Sequence, residues 1–320
     1  MQAPPFPAAL EQGIDRLVER LGRSRLELAA RRLSEAYRSQ GETRVARSAE
    51  DAAAYAATRA PATFASAGAV LEEVTARRPG WQPRTLLDVG AGPGVASWAA
   101  LALWPGIERV TLVEAEAEMA DVGRELARGA PAVLSSAEWR VGDLLEATGS
   151  YDLVVASYVL NELAEPRVAD VAASLWARTA DTLVVAEPGT PLGYRRVLAA
   201  RSAAMSAGGF TLAPCPHDAP CPLTPPDWCH FAVRLERGGA HRAVKAVSRG
   251  FEDEKLSYAV LTREAVPRSA ARIIRQPQIR KGHVHLELCE RDGLSRTIVS
   301  KREPDEYRRA RKAGWGDAWR

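Results

Sequence analysis

Apolar residues first recur at helical spacing. Leu10, Ile14, Leu17 and Leu21, then Leu26, Leu28 and Leu33, fall three or four apart with charged residues between them. The same period continues over 48–78 through Tyr55, Ala67, Val70 and Val74, with Pro61 and the Pro79–Gly80 pair expected to punctuate it. Residues 1–80 are therefore expected to form a helical region. From Thr85 the pattern changes to short apolar runs alternating with helical ones. Strands are expected at Thr85–Val89, Val110–Val113, Trp139–Val141, Leu153–Ala156 and Leu183–Ala186. Helices are expected at Ala96–Leu103, Ala117–Ala127 and Val168–Ala177. Repeated βα units predict a doubly wound α/β domain over 81–210, its parallel sheet covered by helices on both faces and its ligands at the carboxyl ends of the strands. After Glu187 the pattern shifts again. Residues 211–262 hold a stretch rich in Pro and Cys and then sheet-completing strands at Phe231–Leu235 and Leu256–Leu261. Residues 263–320 form a small β module, with strands at Ala271–Ile274, His283–Leu288 and Thr297–Ser300, and a basic helical tail around Tyr307.

Composition changes this picture in two places. With 46% hydrophobic and 26% charged residues, the chain is that of a soluble globular protein. Every apolar run is broken before membrane-spanning length, so no membrane partner is expected. The N-terminus lacks the basic-then-apolar pattern of a secretory signal, and Glu11, Asp15 and Glu19 weigh against a transit peptide. A cytoplasmic, bacterial-type protein is the expectation. The net charge of +3 hides an asymmetry: residues 81–262 carry 16 basic against 22 acidic residues, whereas 263–320 carry 15 against 8. A basic terminal module on an acidic core suits a polyanion, RNA first.

The run Asp-Val-Gly-Ala-Gly-Pro-Gly (88–94) follows a strand and opens a helix. Gly90, Gly92 and Gly94 let backbone N–H groups approach a ligand at a helix N-terminus. A dinucleotide fingerprint wants glycine or alanine where Val95 stands. The G-x-G-x-G pattern, with Asp88 two residues ahead, resembles motif I of class I methyltransferases, whose loop faces the methionyl part of S-adenosylmethionine. Glu114, 24 residues after Gly90 at the end of the second strand, can accept both ribose hydroxyls. In that pattern Asp143, after the third strand, contacts the adenine amino group; capping the next turn is its plainer use. Ser157, closing the fourth strand, completes the cofactor set. Beyond it, Asn161 can orient a substrate atom and Glu162 can act as a base, although capping serves Asn161 equally well. No Asn-Pro-Pro-aromatic or Asp-Pro-Pro-aromatic tetrapeptide and no cysteine stands at this strand exit. That weighs against amino-group methylation of adenine or cytosine by the usual route, and against the covalent route to C5-methylcytosine.

Three of the four cysteines, Cys215, Cys221 and Cys229, lie within fifteen residues; Cys289 stands apart. Clustered thiols on a Pro-rich loop favour metal ligation. The spacing is not a zinc knuckle. Four thiolates suit a [4Fe–4S] cluster, and a zinc site in which His217 or His230 replaces one thiolate is the alternative. His241, His283 and His285 are expected to be ordinary strand residues.

Together these residues resemble the methyltransferase-like assembly factors of the small ribosomal subunit, known from mitochondria and bacteria. The resemblance runs through Tyr55 to Thr63, the glycine loop, Val184 to Pro191, the cysteine loop, Phe251 to Tyr258 and Tyr307 to Asp317. It implies a class I methyltransferase Rossmann-like sheet, a [4Fe–4S] cluster on Cys215, Cys221, Cys229 and Cys289, and a barrel-like C-terminal module that contacts ribosomal RNA. Its partner is then the maturing small subunit, with no DNA. The function expected is S-adenosylmethionine binding with rRNA methylation, subunit assembly, or both. A non-catalytic assembly factor and a small-molecule methyltransferase are the alternatives.

Overall fold

The structure, a computed structural model, describes residues 1, 3–38, 46–236 and 251–319. His241 lies outside the described residues. Three helices come first: α1 (Ala8–Leu21), α2 (Arg23–Arg38) and α3 (Ala49–Arg77). Leu10, Ile14 and Leu17 give α1 its buried stripe. Helix α3 starts where Ser48 accepts the Asp51 N–H, and it buries alanines on nearly every side. Pro61, expected to punctuate, lies inside this unbroken helix. An interior proline costs about 3 kcal/mol through one lost hydrogen bond and a ring clash. Dense burial of Ala52 to Val74 on both flanks outweighs that cost.

The first sheet is built from β1 (Thr85–Val89), β2 (Arg109–Glu114), β3 (Glu138–Val141), β4 (Tyr151–Ser157), β5 (Thr179–Pro188), β6 (Phe210–Ala213), β7 (Phe231–Glu236) and β8 (Phe251–Thr262). Its order is β3-β2-β1-β4-β5-β8-β6, with β7 paired to β8. The first five strands are parallel; β8 runs antiparallel to β5, β6 and β7. Helices α4 (Val95–Leu103) and α5 (Ala117–Ala127) cover one face with α3. The short α6 (Ala132–Ser135) leads into β3. Helices α7 (Arg167–Arg178) and α8 (Pro191–Ser206) cover the other face. Strand order therefore reverses between β1 and β4, which opens the crevice where such sheets bind ligands. This is the class I methyltransferase arrangement. The alternation of βα units did not announce α8 or β6.

The second sheet comprises β9 (Ala271–Ile273), β10 (Gln278–Arg280), β11 (His283–Glu290), β12 (Gly293–Ser300) and β13 (Ala318–Trp319). All of its pairs are antiparallel. It curls over α9 (Pro304–Lys312), burying Val284, Leu286, Leu288, Val299 and Ala310 together. The expected barrel-like C-terminal piece is this curled antiparallel sheet. Among the described residues no helix is long and apolar enough to cross a membrane.

Candidate functional site: a glycine loop, an acidic turn and a thiol cavity

Gly90, Gly92 and Gly94 all take positive φ (62°, 53° and 77°), the region glycine occupies without strain. A Cβ on Gly90 would fall 2.1 Å from Val159, so the close approach of β1 and the β4 exit requires glycine there. A Cβ on Gly92 would meet only Tyr55, at 3.9 Å. Asp88 is buried beneath the loop and accepts two hydrogen bonds from Ser97, from N–H at 3.0 Å and from Oγ at 2.7 Å. Burial pushes its carboxyl up to about 7 against those bonds. Glu114 closes the loop from β2: Oε2 accepts the Gly92 N–H at 2.7 Å and Oε1 the Glu116 N–H at 2.9 Å. A carboxylate offers about four lone-pair sites, so these bonds leave room for a further donor.

Asp143 sits differently. It is exposed, caps the 3₁₀ turn Leu144–Glu146 by accepting the Leu145 N–H at 2.9 Å, and pairs with Arg167 at 2.9 Å. Those bonds hold its carboxyl below the usual range. Ser157 is buried, and its hydroxyl has no hydrogen-bond partner among the described residues.

Past Ser157 the chain turns sharply. Tyr158 is the one non-glycine residue at positive φ (64°) among those described; its hydroxyl bridges Ser66 at 2.9 Å and Glu254 at 3.2 Å. Arg59 also reaches Glu254, at 3.1 Å. The 3₁₀ turn Leu160–Glu162 follows, and Glu187 fixes it. Fully buried at the end of β5, Glu187 accepts the Leu160 N–H at 2.8 Å and the Asn161 N–H at 3.0 Å. Arg196 of α8 donates to the Leu160 carbonyl. Burial raises Glu187 to about 8, helped by Glu162. The surface that Glu162 exposes lines a cavity, and its low-dielectric walls together with Glu114 and Glu116 push its carboxyl up to about 8 as well. Asn161 and Glu162 thus stand on one held turn at the reaction end of the sheet. The sequence reading did not single out Glu187 or Tyr158. A lone acid ending an apolar strand before Pro-Gly was the available signal for Glu187.

The four cysteines line one small cavity, together with Tyr194, Arg201, Tyr258 and Arg272. It encloses about 30 Å³, room for a water or two. The Tyr194 hydroxyl donates to Cys221 Sγ at 3.1 Å, and Cys289 Sγ lies 3.5 Å from His217 Nε2. Burial raises the Cys215, Cys229 and Cys289 thiols, and the neighbouring sulfurs raise them further. Arginines pin the loop: Arg201 donates to the His217 and Ala219 carbonyls at 3.0 Å, and Arg272 to the Pro214 carbonyl at 3.0 Å. Among the described residues no three His, Cys, Asp or Glu side chains are arranged to hold a metal ion. The fold brings the four thiols to one place without setting them in a ligand geometry. His230 packs between Trp228 and Trp315.

A family model described as "Mitochondrial small ribosomal subunit Rsm22" matches residues 49–320. The human mitochondrial ribosome assembly protein METTL17 is 31% identical, covering 82% of this chain and 61% of that protein. A mitochondrial Rsm22-cox11 tandem protein of Schizosaccharomyces pombe is 27% identical over 72% of this chain and 38% of its own length. The chain thus spans about three fifths or less of these relatives. Magnesium protoporphyrin IX methyltransferase from Synechocystis superposes with a TM-score of 0.43 at 13% identity, over 70% of this chain and 87% of that one. A likeness that loose says nothing about function. The relatives correct one expectation: by name they are mitochondrial, which points away from the bacterial cytoplasm inferred from the N-terminal residues. A few early acidic residues are weak evidence about destination.

Proposed function

This chain belongs to the mitochondrial small ribosomal subunit Rsm22 family, and from that premise we propose that it binds S-adenosylmethionine and acts on the maturing small ribosomal subunit, methylating its RNA. The observation that carries the reading is the loop itself: three glycines at positive φ between β1 and α4, with Glu114 closing over Gly92. S-adenosylmethionine supplies, when bound, an electrophilic methyl group on a sulfonium. Gly90, Gly92 and Gly94 would present N–H groups to its methionyl part, and Glu114 would accept ribose hydroxyls. Asp88 anchors the loop through Ser97. Asp143 would reach the adenine by exchanging its bond to Arg167, and Ser157 would meet the cofactor's edge. Positioning does most of the work in such a transfer: Glu187 holds the turn that presents Asn161 and Glu162.

Cys215, Cys221, Cys229 and Cys289 would hold a [4Fe–4S] cluster. A cube with one thiolate on each iron keeps its sulfurs further apart than a single zinc ion does. All four thiols line one cavity, which supports a shared site, and a zinc site that uses His217, 3.5 Å from Cys289 Sγ, is the alternative. Arg201 and Arg272 would offset the thiolate charge. The loop must move outward to admit the cluster, which would then tie it to β11.

The RNA would lie against Lys301, Arg308, Arg311 and Lys312, which with Tyr307 surround an open surface groove of about 590 Å³. A subunit assembly factor without methyl transfer is the second reading, favoured by the name of the human relative. One experiment separates them. Protein purified without oxygen is mixed with methyl-labelled S-adenosylmethionine and immature small-subunit particles, with Gly92→Arg as the blank. Label in RNA above the blank supports the enzyme. Binding of both ligands without label leaves the assembly factor.

A further inference from the structure

A second cavity opens at the same end of the sheet. It measures about 350 Å³, between α2 and α3 on one side and the exits of β4 and β5 on the other. Tyr55, Arg59, Tyr158, Asn161, Glu162 and Pro188 line it, while the loop glycines and Glu114 do not. Tyr55, whose ring would touch a Cβ on Gly92, is the partition between this cavity and the glycine loop.

Resting on the methyl-transfer reading above, we propose that this cavity receives one nucleobase turned out of an RNA strand, packed against the tyrosine walls and hydrogen-bonded along its polar edge by Asn161 and Glu162. The volume falls at the small end of ligand cavities, which run from about 300 to 1,000 Å³. Enzymes that act on a base take it out of the stack, read its edge by hydrogen bonds and pack it against aromatic side chains. Both kinds of wall are present. Asn161 and Glu162, adjacent on one turn, both line the cavity, so two polar side chains stand together at its wall. Neither can drift, because Glu187 and Arg196 hold the backbone of their turn.

The cavity's charge selects for a neutral ligand. The Arg59 guanidinium is engaged by Glu254. Around Glu162 stand Glu114 at the end of β2, Glu116 at the start of α5, Glu187 on β5 and Tyr55 on α3. The cavity walls and the neighbouring Glu114 and Glu116 favour the protonated form of Glu162. A carboxylic acid, like the amide of Asn161, offers one donor and one acceptor side, which suits the mixed edge of a base.

The test uses the full chain and ligand-observed NMR saturation transfer with the four free ribonucleosides and their 5′-monophosphates, from pH 6 to 9. The expected result is saturation of the base protons of at least one nucleoside. Asn161→Ala should weaken binding about five- to tenfold, the worth of one hydrogen bond. Binding to the native chain should fall as pH rises through about 8; Glu162→Gln should bind and remove that fall, and Glu162→Ala should weaken binding by about the same factor as Asn161→Ala. Circular dichroism checks that each variant is folded. No saturation by any nucleoside, or native-strength binding by folded Asn161→Ala and Glu162→Ala, overturns the proposal, as does monophosphate binding indifferent to both changes. RNA labelling without nucleoside binding would sink this cavity but leave the methyltransferase reading standing. Nucleoside binding without RNA labelling would do the reverse.

Discussion

Arg272 of β9 and Glu73 of α3 form a buried ion pair, with Nη2 2.8 Å from Oε2, that joins the curled C-terminal sheet to the longest helix of the N-terminal region. The same guanidinium holds the Pro214 and Gly316 carbonyls, so one side chain gathers the helix, the cysteine loop and the C-terminal turn.

Without Arg272, Glu73 keeps only its ion pair with Arg77 at 2.5 Å, and the Pro214 and Gly316 carbonyls lose their donor, at about 1–3 kcal/mol for each buried group left unpaired. Arg272→Ala should therefore loosen residues 271–319 from the rest. Urea unfolding followed by limited proteolysis reads this as early release of a C-terminal fragment. Arg272→Met refills most of the volume but still offers no donor to Glu73 or to the Pro214 and Gly316 carbonyls, so it should release the fragment later than Arg272→Ala and earlier than the native chain. Burial acts to raise Glu73, but the Arg272 charge wins and its carboxyl titrates below the usual range. A depressed acid contributes stability that is present above its unfolded pKa and is lost as pH falls through the folded one. Acid titration should release the fragment below about pH 4.5.

Asp88 has the opposite sign. Its folded pKa of about 7 stands well above the unfolded value, so its contribution is full below about pH 4 and is lost as pH rises towards 7. Melting temperature in cofactor-free protein should fall between about pH 5 and 7 by more than it does in Asp88→Asn. That variant keeps an acceptor for Ser97 and cannot ionise. Parallel curves would refute the assignment.

The loop glycines should separate fold from binding. Gly90→Ala puts a Cβ into Val159 and should cost at least about 2 kcal/mol, on the scale of overpacking plus backbone strain. Combining it with Val159→Ala should recover part of the loss. Gly92→Ala meets only open space and Tyr55, so it should stay folded at a cost of about 1–3 kcal/mol in backbone strain. Calorimetric titration with S-adenosylmethionine then reports binding alone.

Protein prepared without oxygen should contain about four irons and four acid-labile sulfides per chain. Cys221→Ser and Cys289→Ser should each lower both counts and the visible absorption. Zinc at about one per chain, with no labile sulfide, would instead assign a single-ion site.

Reversing Lys301, Arg311 and Lys312 to Glu should weaken binding to small-subunit RNA. It should also flatten the dependence of log affinity on log salt, by about 0.7–0.9 for each phosphate no longer neutralised. An unchanged salt slope would move the RNA surface elsewhere.

Local chemistry decided what was readable from the chain. The glycine spacing and the strand before it placed the loop, because a tight β–turn–α junction needs residues without side chains at adjacent positions. Short continuous apolar runs placed β1, β2 and β4, and a period of 3.6 placed α5, each bounded by polar or turn-forming residues that mark its ends. The pattern failed where burial is total or the run is short. Alanine-rich α3 hides Pro61 in a helix buried nearly all round, and β6 is a four-residue strand placed by β8.

The sequence by itself determined the glycine loop, the thiol set and the basic tail, since each is carried by residue types within a short span. Tertiary structure alone decided that Glu187 on β5 holds a turn 26 residues earlier, that Glu114 closes on Gly92, and that Tyr55 from the N-terminal helices walls off a second cavity. It also decided which carboxyls burial raises, those of Asp88, Glu162 and Glu187. The reason is physical: a carboxyl group's partners and its dielectric surroundings are set by strands and helices distant along the chain, and no local pattern records which of them will meet.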